Sequence, residues 1–103
     1  MKVRLLDVAQ VELGDAWRWY EAQVPGLGSR FLREVRDARN MILSHPEAWH
    51  SLGDGVRRCR LKRFPYGLIY AVLDDEVLIL AVAHHHREPD YWRTRLTRMP
   101  TRN

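Results

Sequence analysis

Residues 56–92 read VRRCRLKRFPYGLIYAVLDDEVLILAVAHHHREPDYW, and this stretch decides the fold. From Val56 the apolar residues recur with a period of two, the period of a β-strand. Successive strand side chains point to opposite faces, so Cys59 and Leu61 share one side and Arg58, Arg60 and Lys62 the other. Leu68 to Leu73 and Val77 to Ala83 read as two further strands joined by the acidic turn Asp74-Asp75-Glu76. Together the three make an antiparallel meander. Five of the nine residues from Val56 to Phe64 are cations, namely Arg57, Arg58, Arg60, Lys62 and Arg63. A packed core has no use for so many charges on one strand, whereas a surface that meets an acidic partner does. The last two strands are apolar on both faces and want cover on both.

Upstream, Lys2 to Leu6 alternates weakly and predicts a short first strand. Ala9, Leu13, Trp17, Tyr20 and Val24 fall at helical spacing, with Asp7 as the expected cap. Gly14 lies inside this helix, where it costs about 1 kcal/mol relative to Ala. Pro25-Gly26-Leu27-Gly28 breaks the helix. A second helix, capped by Ser29, presents Phe31, Val35, Ala38 and Ile42 inward and stops before Pro46. Arg30, Arg33, Glu34, Arg36 and Asp37 lie off that face and are expected to pair with one another at i, i+3 or i+4. The two helices form an antiparallel hairpin. Residues 47–55 read as loop, with Gly53-Asp54-Gly55 as a turn. After Pro89 a short C-terminal helix remains as scant cover for the outer sheet face, leaving an opening for a partner. The expected class is α+β, as one domain over residues 1–96 with a flexible tail at 97–103.

At 103 residues the chain holds one modest core, and 46% apolar with 29% charged residues is ordinary globular composition. The net charge of +4 comes wholly from residues 51–103, which hold ten Lys/Arg against six Asp/Glu. Nucleic acid, an acidic protein segment and an acidic groove all suit that surplus, as does a solubilising surface. Cys59 is the sole cysteine, which excludes an intrachain disulfide. The N-terminus MKVRLL lacks the apolar stretch of a signal peptide, and no run approaches the ~18 apolar residues of a membrane span. The cytoplasm is the expected compartment.

Most catalytic signatures are missing. There is no Gly-rich phosphate loop and no nucleophile elbow. Cys59 lies on the apolar face of its strand and reads as a buried structural thiol. His84, His85 and His86 do not make a metal site, because neighbouring strand residues diverge to opposite faces and finger-like Cys or carboxylate partners are lacking. A strand-end histidine can instead serve as an acid or base near neutral pH, or play a structural role. No cofactor is expected.

The order of these pieces resembles the RelE/ParE superfamily, the toxin half of bacterial toxin–antitoxin pairs, and most closely its ParE-like, plasmid-stabilisation branch. The resemblance rests on Trp19-Tyr20-Glu21, Pro25-Gly26-Leu27-Gly28, Phe31-Leu32, the basic strand leading into Phe64-Pro65-Tyr66-Gly67, and the last strand running into His84-His85-His86, then Arg87, Pro89 and Tyr91-Trp92. It covers roughly residues 2–96. It implies a toxin that arrests bacterial growth by binding and poisoning DNA gyrase, without being an enzyme, and that is neutralised in a heteromeric complex by an acidic, partly disordered ParD-like antitoxin. The candidate target or antitoxin contacts are Arg58, Arg60, Lys62, Arg87, Trp92, Arg93 and Arg95. RelE-type relatives instead cleave mRNA on the ribosome. For that activity Arg58 and Arg60 stand where the pattern has two lysines, Arg87 where it has a late arginine, and Tyr91 as an off-register tail tyrosine. Gly67 stands where an arginine is expected. A degenerate, non-toxic member that only binds an antitoxin is a third reading.

Overall fold

The computed structural model describes residues 1–98. Its elements are β1 (Lys2–Leu5), α1 (Asp7–Gln23), α2 (Leu27–Ser44), β2 (His50–Gly53), β3 (Val56–Arg60), β4 (Tyr66–Leu73), β5 (Glu76–His84) and a 3-10 helix over Arg93–Arg98. The class is the expected α+β, with a helical hairpin against a single sheet of order β1-β5-β4-β3-β2. β2 to β5 form an antiparallel meander, and β1 lies parallel to β5. The meander has one strand more than the sequence predicts. β2 lies inside the expected loop and pairs His50 with Arg58 and Ser51 with Arg57. Its residues, HSLG, carry little strand preference; the neighbouring β3 makes them a strand. The predicted turn follows, with Asp54 at φ 56° and Gly55 at φ 76°, the left-handed pair that a tight hairpin needs. Of the expected frayed segment, Thr97 and Arg98 end the 3-10 helix, and the rest lies outside the described residues.

Both expected helix caps are corrected. Asp7 is the first residue of α1, with Leu6 at the cap position and no side-chain cap bond. The Asp7 carboxylate still sits near the positive end of the helix dipole. α2 starts at Leu27, two residues before Ser29, and Gly26 turns the chain at φ 90°. The cap comes from the preceding helix. The Glu21 carboxylate accepts from the Gly26 and Gly28 backbone N–H groups, both at 3.0 Å. One carboxylate thereby satisfies two donors that a helix start leaves unpaired.

The helix-side core holds Ala9, Ala16, Tyr20, Phe31, Ala38 and Ile42 of the hairpin against Cys59, Leu61, Leu68, Tyr70, Val77, Ile79 and Val82. Val24, expected on the inner face, is 53% exposed at the end of α1. The outer face is closed more fully than expected. Val56, Ile69, Leu78, Leu80 and Ala83 are buried there beneath Trp92, with Tyr91, Leu96, Leu52 and Leu6 around them.

A bulge near the middle of β5 sets the geometry that follows. Ile69 pairs with Ala81 and Tyr70 with Ile79, so Leu80 is the extra residue. Before it Val77 and Ile79 face the helices; after it Val82 does, while Ala81 and Ala83 face outward. β1 pairs no further than Leu5 with Ile79, so the later part of β5 has no strand on that side. There the Leu80 carbonyl accepts from the Arg95 guanidinium at 2.8 Å, and the Val82 N–H donates to the Glu12 carboxylate at 3.0 Å. Two side chains occupy the place of a missing strand.

Candidate functional site

The basic strand does not form one exposed row. β3 ends at Arg60, and the Leu61 N–H donates to the Tyr66 carbonyl to close the following turn. Cys59 and Leu61 face the helices as expected, and both are buried. Burial pushes the Cys59 thiol up to about 11, so it remains a neutral thiol at physiological pH. Arg58 is half-buried and its Nε is fully buried, which corrects its expected exposure. Lys62 and Arg63 lie beyond the strand and are exposed. Their backbone N–H groups both donate to one oxygen of Glu34, at 3.0 Å each. Glu34 is thus bound to this turn rather than to a neighbouring arginine of α2. None of the i, i+3 or i+4 pairs expected along α2 is seen among the described residues; Arg36 meets only its sequence neighbour Asp37, at 4.0 Å.

This anchoring builds a groove of about 600 Å³ between α2 and the turn after β3. Arg30, Arg33, Arg60, Lys62 and Arg63 line it, against the two carboxylates of Glu34 and Asp37. Leu27, Met41, Leu61 and Phe64 give it an apolar floor. Arg30 and Arg33 were not among the sequence candidates. Both lie off the inner face of α2, but only the packing of hairpin on sheet brings them beside Lys62.

The other candidates lie across the sheet in the tail. Arg93 donates to Asp54 and to the Leu52 carbonyl, each at 2.8 Å, pairs with Asp90 at 3.0 Å, and lies over the Trp92 ring at 4.6 Å. Arg95 makes a two-pronged pair with Glu12, at 2.8 and 2.9 Å. Trp92 is 3% exposed and packs on the outer sheet face. These three residues hold the tail down on the sheet and on α1. Arg87 is exposed, with its guanidinium 3.9 Å from the Tyr91 ring centre. The Tyr91 hydroxyl donates to Glu12 at 2.9 Å. Burial, together with that bond and the charge of Glu12, pushes its ionisation far above the ordinary tyrosine range. His84 packs on Tyr66 and, at 5.0 Å, on the His86 ring, and accepts the His86 N–H on Nδ1 at 3.0 Å, while the His85 N–H donates to the Pro65 carbonyl.

The arrangement gathers positive charge at two places. Arg58 and Arg87 line one small cavity with His85, but the tyrosine beside them has its proton committed to Glu12. Among the described residues no helix is long and apolar enough to cross a membrane.

Two-layer topology, basic groove and tied-down tail together define a small α+β protein. Residues 3–89 match the family described as the ParE toxin of type II toxin-antitoxin system, parDE. The chain belongs to the ParE toxin family. A solved structure described as the chromosomal ParDE TA system from P. aeruginosa has a similar fold, with a TM-score of 0.71 at 19% identity over 82% of this chain and 95% of that one. A search of curated proteins finds no match to the chain.

Proposed function

We propose that the chain is a growth-arresting toxin that binds DNA gyrase in the cytoplasm and is neutralised by an acidic, partly disordered antitoxin segment. Membership of the ParE family carries the toxin reading. The groove supports the antitoxin reading: five cations face two carboxylates over an apolar floor, which suits a segment with acidic residues on one side and apolar residues on the other. A disordered segment that orders on such a groove can cover a large surface. A plasmid-stabilising role would follow from a toxin that outlasts its antitoxin.

Binding to gyrase is favoured over cleavage of mRNA. Proton transfer at a phosphate needs a group that can give up or take a proton. Arg58 and Arg60 do so poorly, Tyr91 is bonded to Glu12, and Gly67 supplies no side chain.

Expression of the chain alone in a bacterium tests the reading. Growth arrest with filamentation and an induced DNA-damage response is expected, relieved by a co-expressed acidic antitoxin. The purified protein should inhibit gyrase supercoiling and leave ribosome-bound mRNA uncut by primer extension. Codon-dependent cuts would replace gyrase with mRNA as the target. Normal growth at confirmed soluble expression would leave a non-toxic antitoxin binder.

A further inference from the structure

Trp19-Tyr20-Glu21 sends three neighbouring side chains to three places. Tyr20 enters the core and Glu21 caps α2, whereas Trp19 stays 60% exposed on α1. Beside it lies a pocket of about 560 Å³, between α1 and the paired strand ends at Tyr66 and His84. That is the size of a small-molecule site, roughly 300–1,000 Å³. Glu12, Asp15 and Trp19 follow one another in steps of three and four residues, so one face of α1 brings two carboxylates and an indole to the same opening. The rings run on from there. Trp19 stands edge-on to Tyr20 with centroids 5.1 Å apart, Tyr20 lies 6.1 Å from Tyr66, and Tyr66 lies 5.0 Å from His84. The planes of these pairs are inclined at 87°, 69° and 84°, so the rings wall a compact group better than a flat one.

The charge beside the rings is negative. Burial, then the charges of Glu12 and Asp15, push the Tyr66 hydroxyl above the ordinary tyrosine range. Glu12 is taken up by Arg95, Tyr91 and the Val82 N–H. Asp15 pairs with Arg18 at 2.7 Å, but the two side chains are 67% and 64% exposed, so its carboxylate stays open to a ligand. Arg87 is the one cation among the lining residues, and its guanidinium lies over Tyr91 instead, 3.9 Å from the ring centre. An anion here would face two carboxylates. A neutral apolar group would strip water from Asp15 and give it nothing in return. A compact cation meets aromatic faces and a carboxylate at once, and both attract it.

We propose that this pocket is a seat for an alkylammonium group, held against the Trp19 indole and the Tyr66 ring with Asp15 as its counter-charge. It binds without a reaction, and it does not depend on the gyrase or antitoxin readings. Tyr20 and Pro65 line both this pocket and the basic groove, so the two sites are neighbours with opposite charge preference.

The test is NMR titration of the purified protein, read on the Tyr66 ring signals, with tetramethylammonium chloride against sodium chloride of equal ionic strength. Tetramethylammonium should shift these signals saturably and sodium should not. tert-Butanol, similar in shape but uncharged, should bind roughly fivefold more weakly or worse. Trp19→Leu and Asp15→Asn, both at exposed positions, should each weaken tetramethylammonium binding by roughly twofold to fivefold. Trp19→Phe should keep part of what Trp19→Leu loses, because a benzene ring is a weaker cation–π face than indole. A lysine amide titrated in the same way tells a partner's lysine side chain from a free quaternary amine as the source, by which of the two binds more tightly. An absent shift, equal binding of tert-butanol and tetramethylammonium, or an affinity unchanged in Trp19→Leu or in Asp15→Asn overturns the proposal.

Discussion

Glu12 and Arg95 lie 83 positions apart and meet in a two-pronged pair whose side chains are only 15% and 13% exposed. The pair joins α1 to the tail and covers the bare edge of β5 through Val82 and Leu80. Removing one partner leaves the other charged and poorly solvated, the situation in which a buried pair is most costly to break.

Glu12→Gln or Arg95→Met should therefore each destabilise the fold by roughly 3 kcal/mol, the low end for a broken buried pair. The double variant should cost less than the sum of the two. Urea melts of the four proteins measure the coupling. Strict additivity would show that each side chain acts through its backbone bond alone.

The basic turn and the core beneath it should separate in their effects. Arg60→Ala with Lys62→Ala should change stability by at most ~1 kcal/mol per exposed charge. The same pair should weaken binding of an acidic antitoxin segment, most at low salt, where exposed charges are least screened. Leu61, 6% exposed, should cost roughly 2–5 kcal/mol on truncation to Ala. Thermal melts run beside calorimetric titrations in low and high salt read both halves.

Stability should fall at alkaline pH, beginning with Cys59. Its ionisation is pushed from 9.0 to about 11 by burial, so below 9.0 the thiol is neutral in both folded and unfolded chains. Above that the unfolded chain loses the proton first, and stability declines by at most about 1.4 kcal/mol per pH unit until the folded thiol also titrates. Tyr70, pushed up to about 12 chiefly by burial, extends the decline above 10.0. Cys59→Ala should flatten the first part of the curve and leave the second. Denaturant midpoints measured across that range decide it.

Glu21→Ala should cost about 1 kcal/mol, as loss of a helix cap does. Amide exchange should quicken at Gly26 and Gly28, the two N–H groups its carboxylate holds. Unchanged protection at both would assign the start of α2 to Gly26 geometry alone.

What could be read from the chain followed from local period. Phe31, Ala38 and Ile42 face the core, Cys59 and Leu61 lie opposite Arg60, and Asp54-Gly55 turns the chain, each from spacing within a few residues. What could not be read depends on contacts distant in sequence. β2 exists because β3 lies beside it, Glu34 leaves its helix neighbours for two N–H groups 28 and 29 positions away, and Arg93 and Arg95 find acceptors far upstream. The Leu80 bulge leaves no mark in an unbroken apolar run, yet it decides which groups of β5 face the open edge. The acceptors that hold the tail cations lie mostly in other elements, Asp54 and Leu52 for Arg93 and Glu12 for Arg95.

The pairing of β1 with β5 bears on how such a protein emerges from the ribosome. Lys2 to Leu5 pair with the strand that begins at Glu76, so the first strand synthesised waits for the last of those described. The hairpin can form early from contacts close in sequence, whereas the sheet must close one of the longest loops the chain allows, a slow step. The basic turn after β3 takes its folded place only once β4 exists to receive the Leu61 N–H. A half-made chain therefore presents neither the groove nor the sheet face, and the basic groove is assembled only after β4 has been made.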